Sequence, residues 1–255
     1  VDLLKFNKIC NADDWQDEQF SSDITTLNLD IKDIHRKWWE YARIYRAVNT
    51  FVKPYSHGLG LAVGHECLIY KFSHEHNIIA TDLYSGDTSW EEARLSIKDV
   101  YNRGAYRKGF LTVINMDMRR LDFEDERFHF VWSSCSIEHL DSFEEIKNCL
   151  KDIHRVLMPD GLLILTTEWH IGMTLVRQPC NQMFYFDSLP IFEECGFNFV
   201  ERDIAENIQR EMEVMRNNPN NEPDSVHDHS RPHVIVRHKG LNSDFTSVCF
   251  VLRKR

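Results

Sequence analysis

No apolar run in this chain reaches the ~18 residues that a membrane-crossing helix needs. Its first residues alternate charged and apolar types, so no leader peptide is expected. Positive charge is in deficit: 30 Lys and Arg stand against 40 Asp and Glu, a formal net charge of −10. That balance argues against a nucleic-acid partner, which favours a basic face. The basic end Arg253-Lys254-Arg255 is too short to alter this and reads as a solvated strand end. The 7 cysteines include no C-x-x-C pair and are scattered, several in apolar runs. A disulfide framework is therefore not expected, and a reducing, cytoplasmic setting is. The chain starts with Val, which fits a trimmed polypeptide or a domain cut from a longer one.

What is present begins with size: 255 residues at 42% hydrophobic can bury a sizeable core. The most informative stretch runs from Tyr55 to Tyr84. Gly58, Gly60 and Gly64 precede a helix-like run, and a short apolar strand, Asn77 to Thr81, then ends in Asp82. This is the layout of a β-turn-α-β unit that holds an adenosine. Glycines let the backbone approach a ligand. An acid about 20 residues further on can accept hydrogen bonds from ribose hydroxyls. The spacing is G-x-G-x-x-x-G, wider than the dinucleotide fingerprint, and no Lys-Ser or Lys-Thr follows, which disfavours a P-loop. An ordinary tight turn that binds nothing is the bland alternative.

Along the chain, residues 1–34 are set apart as a polar, acidic N-terminal extension, and 35–255 as one domain. Ile31 to Phe51 reads as a helix with Trp38, Tyr41, Ala42, Tyr45 and Val48 on one stripe, stopped by Pro54. A helix is expected over Glu66 to His74, and S-W-E-E at Ser89 resembles a capping box. Strands are expected at Ile78 to Thr81, Leu111 to Met116, Phe128 to Ser133, Leu162 to Thr167 and Phe197 to Ile204. A helix fills Ser142 to Leu157, and another ends over Phe192 to Gly196. Residues 216–232 read as a long loop, and Val234 to Arg237 and Phe245 to Leu252 as strands. Such alternation predicts a mostly parallel sheet with helices on both faces. The short link Lys239 to Asp244 leaves no room for a crossover helix, so the last strand runs antiparallel.

Five pieces in this order resemble the class I S-adenosylmethionine-dependent methyltransferases, over roughly residues 35–255. They are G-L-G-L-A-V-G from Gly58, A-T-D-L-Y from Ala80, N-M-D-M-R from Asn115, F-H-F-V-W-S-S-C-S-I-E-H-L from Phe128, and L-K-D-I-H-R-V-L-M-P-D-G-L-L-I-L-T-T-E from Leu150. His57 stands where that family has an acid before its glycines. The resemblance implies an α/β, Rossmann-like seven-stranded sheet with an antiparallel last strand. It implies S-adenosylmethionine as cofactor, bound by Gly58, Gly60, Gly64, Asp82, Leu83, Asp117, Met118, Ser133 and Ser134. W-S-S-C-S-I-E-H, L-T-T-E-W-H and P-H-V-I-V-R further resemble methyltransferases linked to glycan and polysaccharide synthesis. That resemblance implies O-methylation of a sugar hydroxyl. Methylation of a phospholipid-like or aromatic acceptor, an NAD-dependent oxidoreductase and a non-catalytic binding module remain alternatives. The absence of a Tyr-x-x-x-Lys pair disfavours the oxidoreductase.

A sugar hydroxyl is a weak acid, so a general base or a divalent metal, Mg or Mn, would help to remove its proton. Candidates sit where strands end: Glu138 and His139, then Glu168, Trp169 and His170, then His233. Trp169 can stack on a sugar face. His227, Asp228, His229 and His233 match no zinc spacing. Each has a plain alternative as a helix start, a strand end or a solvated loop. Trp38, Trp39 and Tyr41 can form a lid or core, and Arg36 and Arg43 can meet a phosphate-bearing acceptor or only solvent.

Overall fold

The computed structural model describes residues 5–84, 95–171, 182–221, 223, 232–238 and 243–255. Expectations for Ser89 to Arg94 and for His227, Asp228 and His229 fall outside them.

Among the described residues nine strands form one sheet: β1 (Lys8–Ile9), β2 (His57–Leu61), β3 (Asn77–Asp82), β4 (Leu111–Asn115), β5 (Phe128–Ser134), β6 (Leu157–His170), β7 (Phe197–Phe199), β8 (Val236–His238) and β9 (Ser243–Lys254). Their order is β1-β9-β6-β5-β2-β3-β4. β2 to β6 are mutually parallel, and β9 lies antiparallel on β6 along nine residue pairs from Leu162↔Arg253 to His170↔Phe245. The expected architecture is therefore present, with two short strands more than seven. The outer edge of β9 is divided in line among β8, β1 and β7, at residues 243–245, 248–249 and 252–254. Short paired strands cover an edge that would otherwise offer free N–H and C=O groups.

The helices are α1 (Glu18–Thr26), α2 (Arg36–Phe51), α3 (Cys67–Ser73), α4 (Ile97–Arg103), α5 (Phe143–Val156), α6 (Pro190–Glu194) and α7 (Ile204–Asn217). α5 forms because Ile146, Cys149, Leu150, Ile153 and Val156 repeat at helical spacing and are all buried. Ser142 caps its start, accepting from the Glu145 N–H at 3.2 Å. Each such aliphatic side chain contributes roughly 1.5–3 kcal/mol on full burial. α2 starts five residues later than expected, where the His35 side chain accepts from the Lys37 N–H.

Three expectations are corrected. Only Phe197–Phe199 of the expected strand over 197–204 pairs, because Asp203 takes a left-handed turn (φ 56°) and α7 begins. The loop expected from 216 is helical through Asn217, at the end of a helix that Ile204, Ile208, Met212 and Met215 bury on one stripe. The N-terminal segment is no appendage from residue 5 on. Ile9, Cys10, Phe20 and Ile24 join the common core, and the Asn7 side chain accepts from the Val251 N–H of β9 at 2.8 Å.

The parallel strands end along one rim. There Ala62 (φ 50°), directly after β2, and Cys135 (φ 47°), directly after β5, hold left-handed backbone without being glycine. Such conformations cost about 1–3 kcal/mol each and gather at functional sites.

Candidate active site

The turn from Ala62 to Glu66 joins β2 to α3. Gly64 (φ 49°) sits in its middle, and its N–H donates to Asp82 Oδ2 at 2.7 Å. Asp82 Oδ1 accepts from the Leu83 N–H at 2.6 Å. Two lone-pair positions on this carboxylate are left for other donors. Burial pushes its carboxyl up, against the pull of those two N–H groups.

Two adjoining cavities open at the rim and share Ala62, Asp82 and Ser136. The first, about 280 Å³, has apolar walls from Leu83, Met116, Met118 and Leu140, with Asp117 and His139 among its polar ones. Hydrogen bonds from Arg119 hold the Asp117 carboxyl below its usual range, with distances of 2.5–3.0 Å. The second cavity, about 670 Å³, lies between α2 and the turn. Lys37, Trp38 and Tyr41 line one side, and Gly64, Glu66 and Ser134 are among the residues lining the rest.

Behind the second cavity α2 is tied to the strand ends through Glu40, which is fully buried. Its carboxylate accepts from Lys37 Nζ at 2.9 Å, Arg36 Nη1 at 3.2 Å, Ser247 Oγ at 2.5 Å, Ser134 Oγ at 3.2 Å and Cys135 Sγ at 3.0 Å. Burial raises its pKa, but Lys37 and Arg36 outweigh this and hold it at about 2. Arg36 also reaches Glu168 at 3.2 Å, and Lys37 donates to Ser134 O and Oγ at 2.9 and 3.1 Å. A buried charge is tolerated only when paired and hydrogen-bonded in this way. The left-handed turn at Cys135 is what brings its thiol to Glu40.

Glu66 is different. It is buried, and its Oε1 accepts from the Trp132 indole at 2.6 Å. Burial pushes its carboxyl up to about 8, against that hydrogen bond and the charge of Lys37.

The sequence candidates divide. Gly64, Asp82, Leu83, Asp117, Met118 and Ser134 all line the cavities. Gly58 and Gly60 do not: both lie inside β2, where a Cβ would overlap the rings of Phe130 and Trp132. Their role is to admit aromatic side chains from β5. His57 starts β2 at the opposite rim, exposed and stacked on His129 at 5.9 Å, so it is not the position that would face a ligand. Ser133 lines neither cavity, and its buried Oγ has no hydrogen-bond partner among the described residues.

Among the catalytic candidates only His139 lines a cavity. Glu138 is fully buried. It accepts from Thr167 Oγ1 at 3.1 Å and from the Glu168 N–H at 3.2 Å, so it holds the end of β6 and lines neither cavity. Burial and then the Glu168 charge push its carboxyl up to about 7. His170 is buried at the end of β6, outside both cavities. His233 stacks on His35 at 4.6 Å, and its carbonyl accepts from the Arg36 N–H at 2.9 Å, so it docks its segment on the start of α2. Trp169 is core: it is fully buried and donates to Met212 Sδ at 3.2 Å, which corrects the sugar-stacking reading. Trp39 is also core, bonded to Asp14 at 2.7 Å, whereas Trp38 and Tyr41 line the second cavity. Arg36 and Arg43 are used internally, the latter on the Lys5 and Phe6 carbonyls. Among the described residues no group of three or more His, Cys, Asp or Glu is arranged to hold a metal ion.

Sequence reasoning passed over Lys37, Glu40 and Glu66. A signal existed for the first two, since Arg36, Lys37 and Glu40 fall at i, i+1 and i+4 on an amphipathic helix. Nothing in the local pattern distinguishes Glu66 from an ordinary helix-start acid.

These residues fit S-adenosylmethionine. A backbone with no Cβ at Gly64 faces the cavity, a strand-end carboxylate keeps free acceptor positions, and apolar side chains wall the first cavity.

Residues 58–165 match the family described as methyltransferase domain. The chain matches no curated protein sequence. Among solved structures it is similar to a 1,6-didemethyltoxoflavin-N1-methyltransferase from Burkholderia thailandensis with bound S-adenosylhomocysteine. Identity is 15%, the TM-score 0.53, and the match covers 87% of this chain and 79% of that one. It is similar to a protein from Galdieria sulphuraria named provisionally as a sarcosine dimethylglycine methyltransferase (15% identity, TM-score 0.55, 93% and 98% covered). The cyclase SpnF is also similar, at 13% identity and a TM-score of 0.55, with 97% of each chain covered. At such identities the likeness is one of fold, and the same fold evidently also carries a cyclase. The sequence match to the methyltransferase domain over residues 58–165 supports a methyltransferase enzyme that uses S-adenosylmethionine.

Proposed function

We propose that the acceptor is a sugar hydroxyl of a glycan or polysaccharide precursor and that the product is its O-methyl ether. The observation that carries this reading is the pair Trp38 and Tyr41 on α2, whose rings lie 6.1 Å apart and line a cavity that also has polar groups. Aromatic faces accept the apolar C–H faces of a sugar, while nearby polar groups bind its hydroxyls.

S-adenosylmethionine, when bound, supplies a methyl group activated by the positive sulfur beside it. The protein's part is to hold the two reactants in line. Asp82 would take the ribose hydroxyls. Leu83, Met116, Met118 and Leu140 would enclose the adenine, with Asp117 at its edge. His139 would accept the proton from the acceptor hydroxyl, because it is the one catalytic candidate on a cavity wall. Ser136, which lines both cavities, lies three residues before it.

A planar aromatic acceptor is the second reading, favoured by the same two rings. The test is mass spectrometry of mono- and oligosaccharides and of phenolic acceptors after incubation with isotope-labelled S-adenosylmethionine. A label on a sugar oxygen supports the proposal. Labelling of the phenols alone overturns it in favour of the second reading.

A further inference from the structure

We propose that the Glu66 carboxylate is the counter-ion for the ammonium group at the amino-acid end of the cofactor, and that it gives up a proton when that group arrives. The inference rests on the cofactor reading above.

Two acidic side chains, Asp82 and Glu66, line the second cavity and a third, Glu40, lies behind it. Glu40 has Lys37 and Arg36 within 3.2 Å. Asp82 holds the Gly64 and Leu83 N–H groups. Glu66 has only the neutral Trp132 indole, at 2.6 Å on one oxygen, and forms no ion pair among the described residues. It lines the cavity within the turn that follows β2. The segment leading into that turn, Gly58 to Ala62, contains no acid. Glu66 therefore provides the turn's own carboxylate, aimed from the start of α3 and not from the strand.

Of the charged groups around it in the free protein, Lys37 favours ionisation while Glu40 and Asp82 oppose it, and the neighbouring Tyr41, Tyr84 and Cys67 are neutral. α2 contributes Glu40 and Tyr41 along with the cation Lys37, the end of β3 contributes Asp82 and Tyr84, and Cys67 follows on α3. His65 precedes it in the turn and also lines the cavity. Lys37 acts on Glu66 only at a distance and does not pair with it, since its ammonium is bound to Glu40, Ser134 O and Ser134 Oγ. Burial, helped by Glu40 and Asp82, outweighs the Trp132 hydrogen bond and Lys37 and keeps Glu66 protonated near neutrality. A cation entering the cavity reverses that balance. The O–H bond of Glu66 breaks, its proton leaves to buffer, and the resulting carboxylate pairs with the ammonium.

Isothermal titration calorimetry of the whole chain tests this with S-adenosylhomocysteine and with adenosine, which lacks the amino-acid end. Two buffers of different ionisation enthalpy at pH 7 read the protons exchanged. Wild type is expected to release close to one proton per S-adenosylhomocysteine, and its affinity to rise about tenfold from pH 6 to pH 7. Glu66→Gln keeps an oxygen for Trp132. It is expected to release none, to lose the pH slope and to bind S-adenosylhomocysteine at least tenfold more weakly, with adenosine unchanged. Glu66→Asp should restore part of the release. Wild-type-like binding and release in Glu66→Gln would overturn the assignment while leaving the cofactor reading intact. Failure of wild type to bind either compound would overturn both.

Discussion

Asp82 is tied to Gly64 by a 2.7 Å hydrogen bond across the gap between β3 and the β2–α3 turn. One side chain therefore shapes the turn and, in the proposed cofactor reading, would also present acceptor oxygens to a ribose. The two duties are separable. Asp82→Asn keeps an oxygen for the Gly64 N–H but loses the charge, and Asp82→Ala loses both. Calorimetry with S-adenosylhomocysteine should show weaker binding for both variants, by about 1–3 kcal/mol for Asp82→Ala. Affinity unchanged in Asp82→Ala would end the ribose assignment.

Gly60 tests a different relationship. A Cβ there would come within 2.5 Å of the Trp132 ring and 2.7 Å of Val63. Gly60→Val should therefore damage the packing of β2 on β5 and lower stability by roughly 1–3 kcal/mol or more. Thermal melting checks it. A variant that melts like wild type but no longer binds cofactor would return Gly60 to the ligand.

The third prediction concerns pH. Glu138 has its folded-state pKa raised from 4.5 to about 7 by burial and by Glu168. The folded state thus holds a proton that the unfolded chain has already lost between those values. Stability from this group falls as pH rises from about 4.5 to 7. Glu66, raised to about 8, adds a decline of the same sign up to that pH. Glu138→Gln should flatten the dependence over pH 5 to 7, and its relative stability should gain on wild type by roughly 1–3 kcal/mol across that window. Urea unfolding at four pH values measures it. Parallel curves for variant and wild type would show that Glu138 does not carry the proton.

Periodic signals made most of this architecture legible. The apolar runs of β3, β5 and β6 and the stripe of α5 are strong because each reads its own burial. The antiparallel β9 followed from a link too short for a crossover. α7 was hidden because Ile204, Ile208, Met212 and Met215 are separated by charged residues, and the preceding Phe197 to Val200 pulled the reading toward strand. The place of a candidate was legible where it is set by position in the chain, as for Asp82, which ends β3 and lines both cavities. It was misread at Gly58 and Gly60, since a glycine that admits a ring from the neighbouring strand looks in sequence like one that admits a ligand. Glu66 and Glu40 owe their properties to burial against distant residues, Trp132 and Ser247 among them. No local pattern carries that information.

The last prediction separates the three histidines. His139 lines the first cavity, which also contains Asp117 and Ser136. His170 is buried on β6, and His233 is stacked on His35. His139→Ala should therefore lower turnover by about 100-fold or more, in line with the loss of a general base, while affinity for S-adenosylhomocysteine changes little. His170→Ala and His233→Ala should act mainly through stability, seen as a lower melting temperature with turnover per folded molecule retained. The rate in wild type should rise with pH through about 6 to 7, where a histidine base loses its proton, and the residual rate of His139→Ala should not follow that rise. Turnover, cofactor affinity and melting temperature measured together on each variant decide the matter. If His139→Ala keeps near-wild-type turnover while His170→Ala or His233→Ala loses it, the base has been assigned to the wrong strand end. If all three keep it, positioning of the two reactants alone drives the transfer.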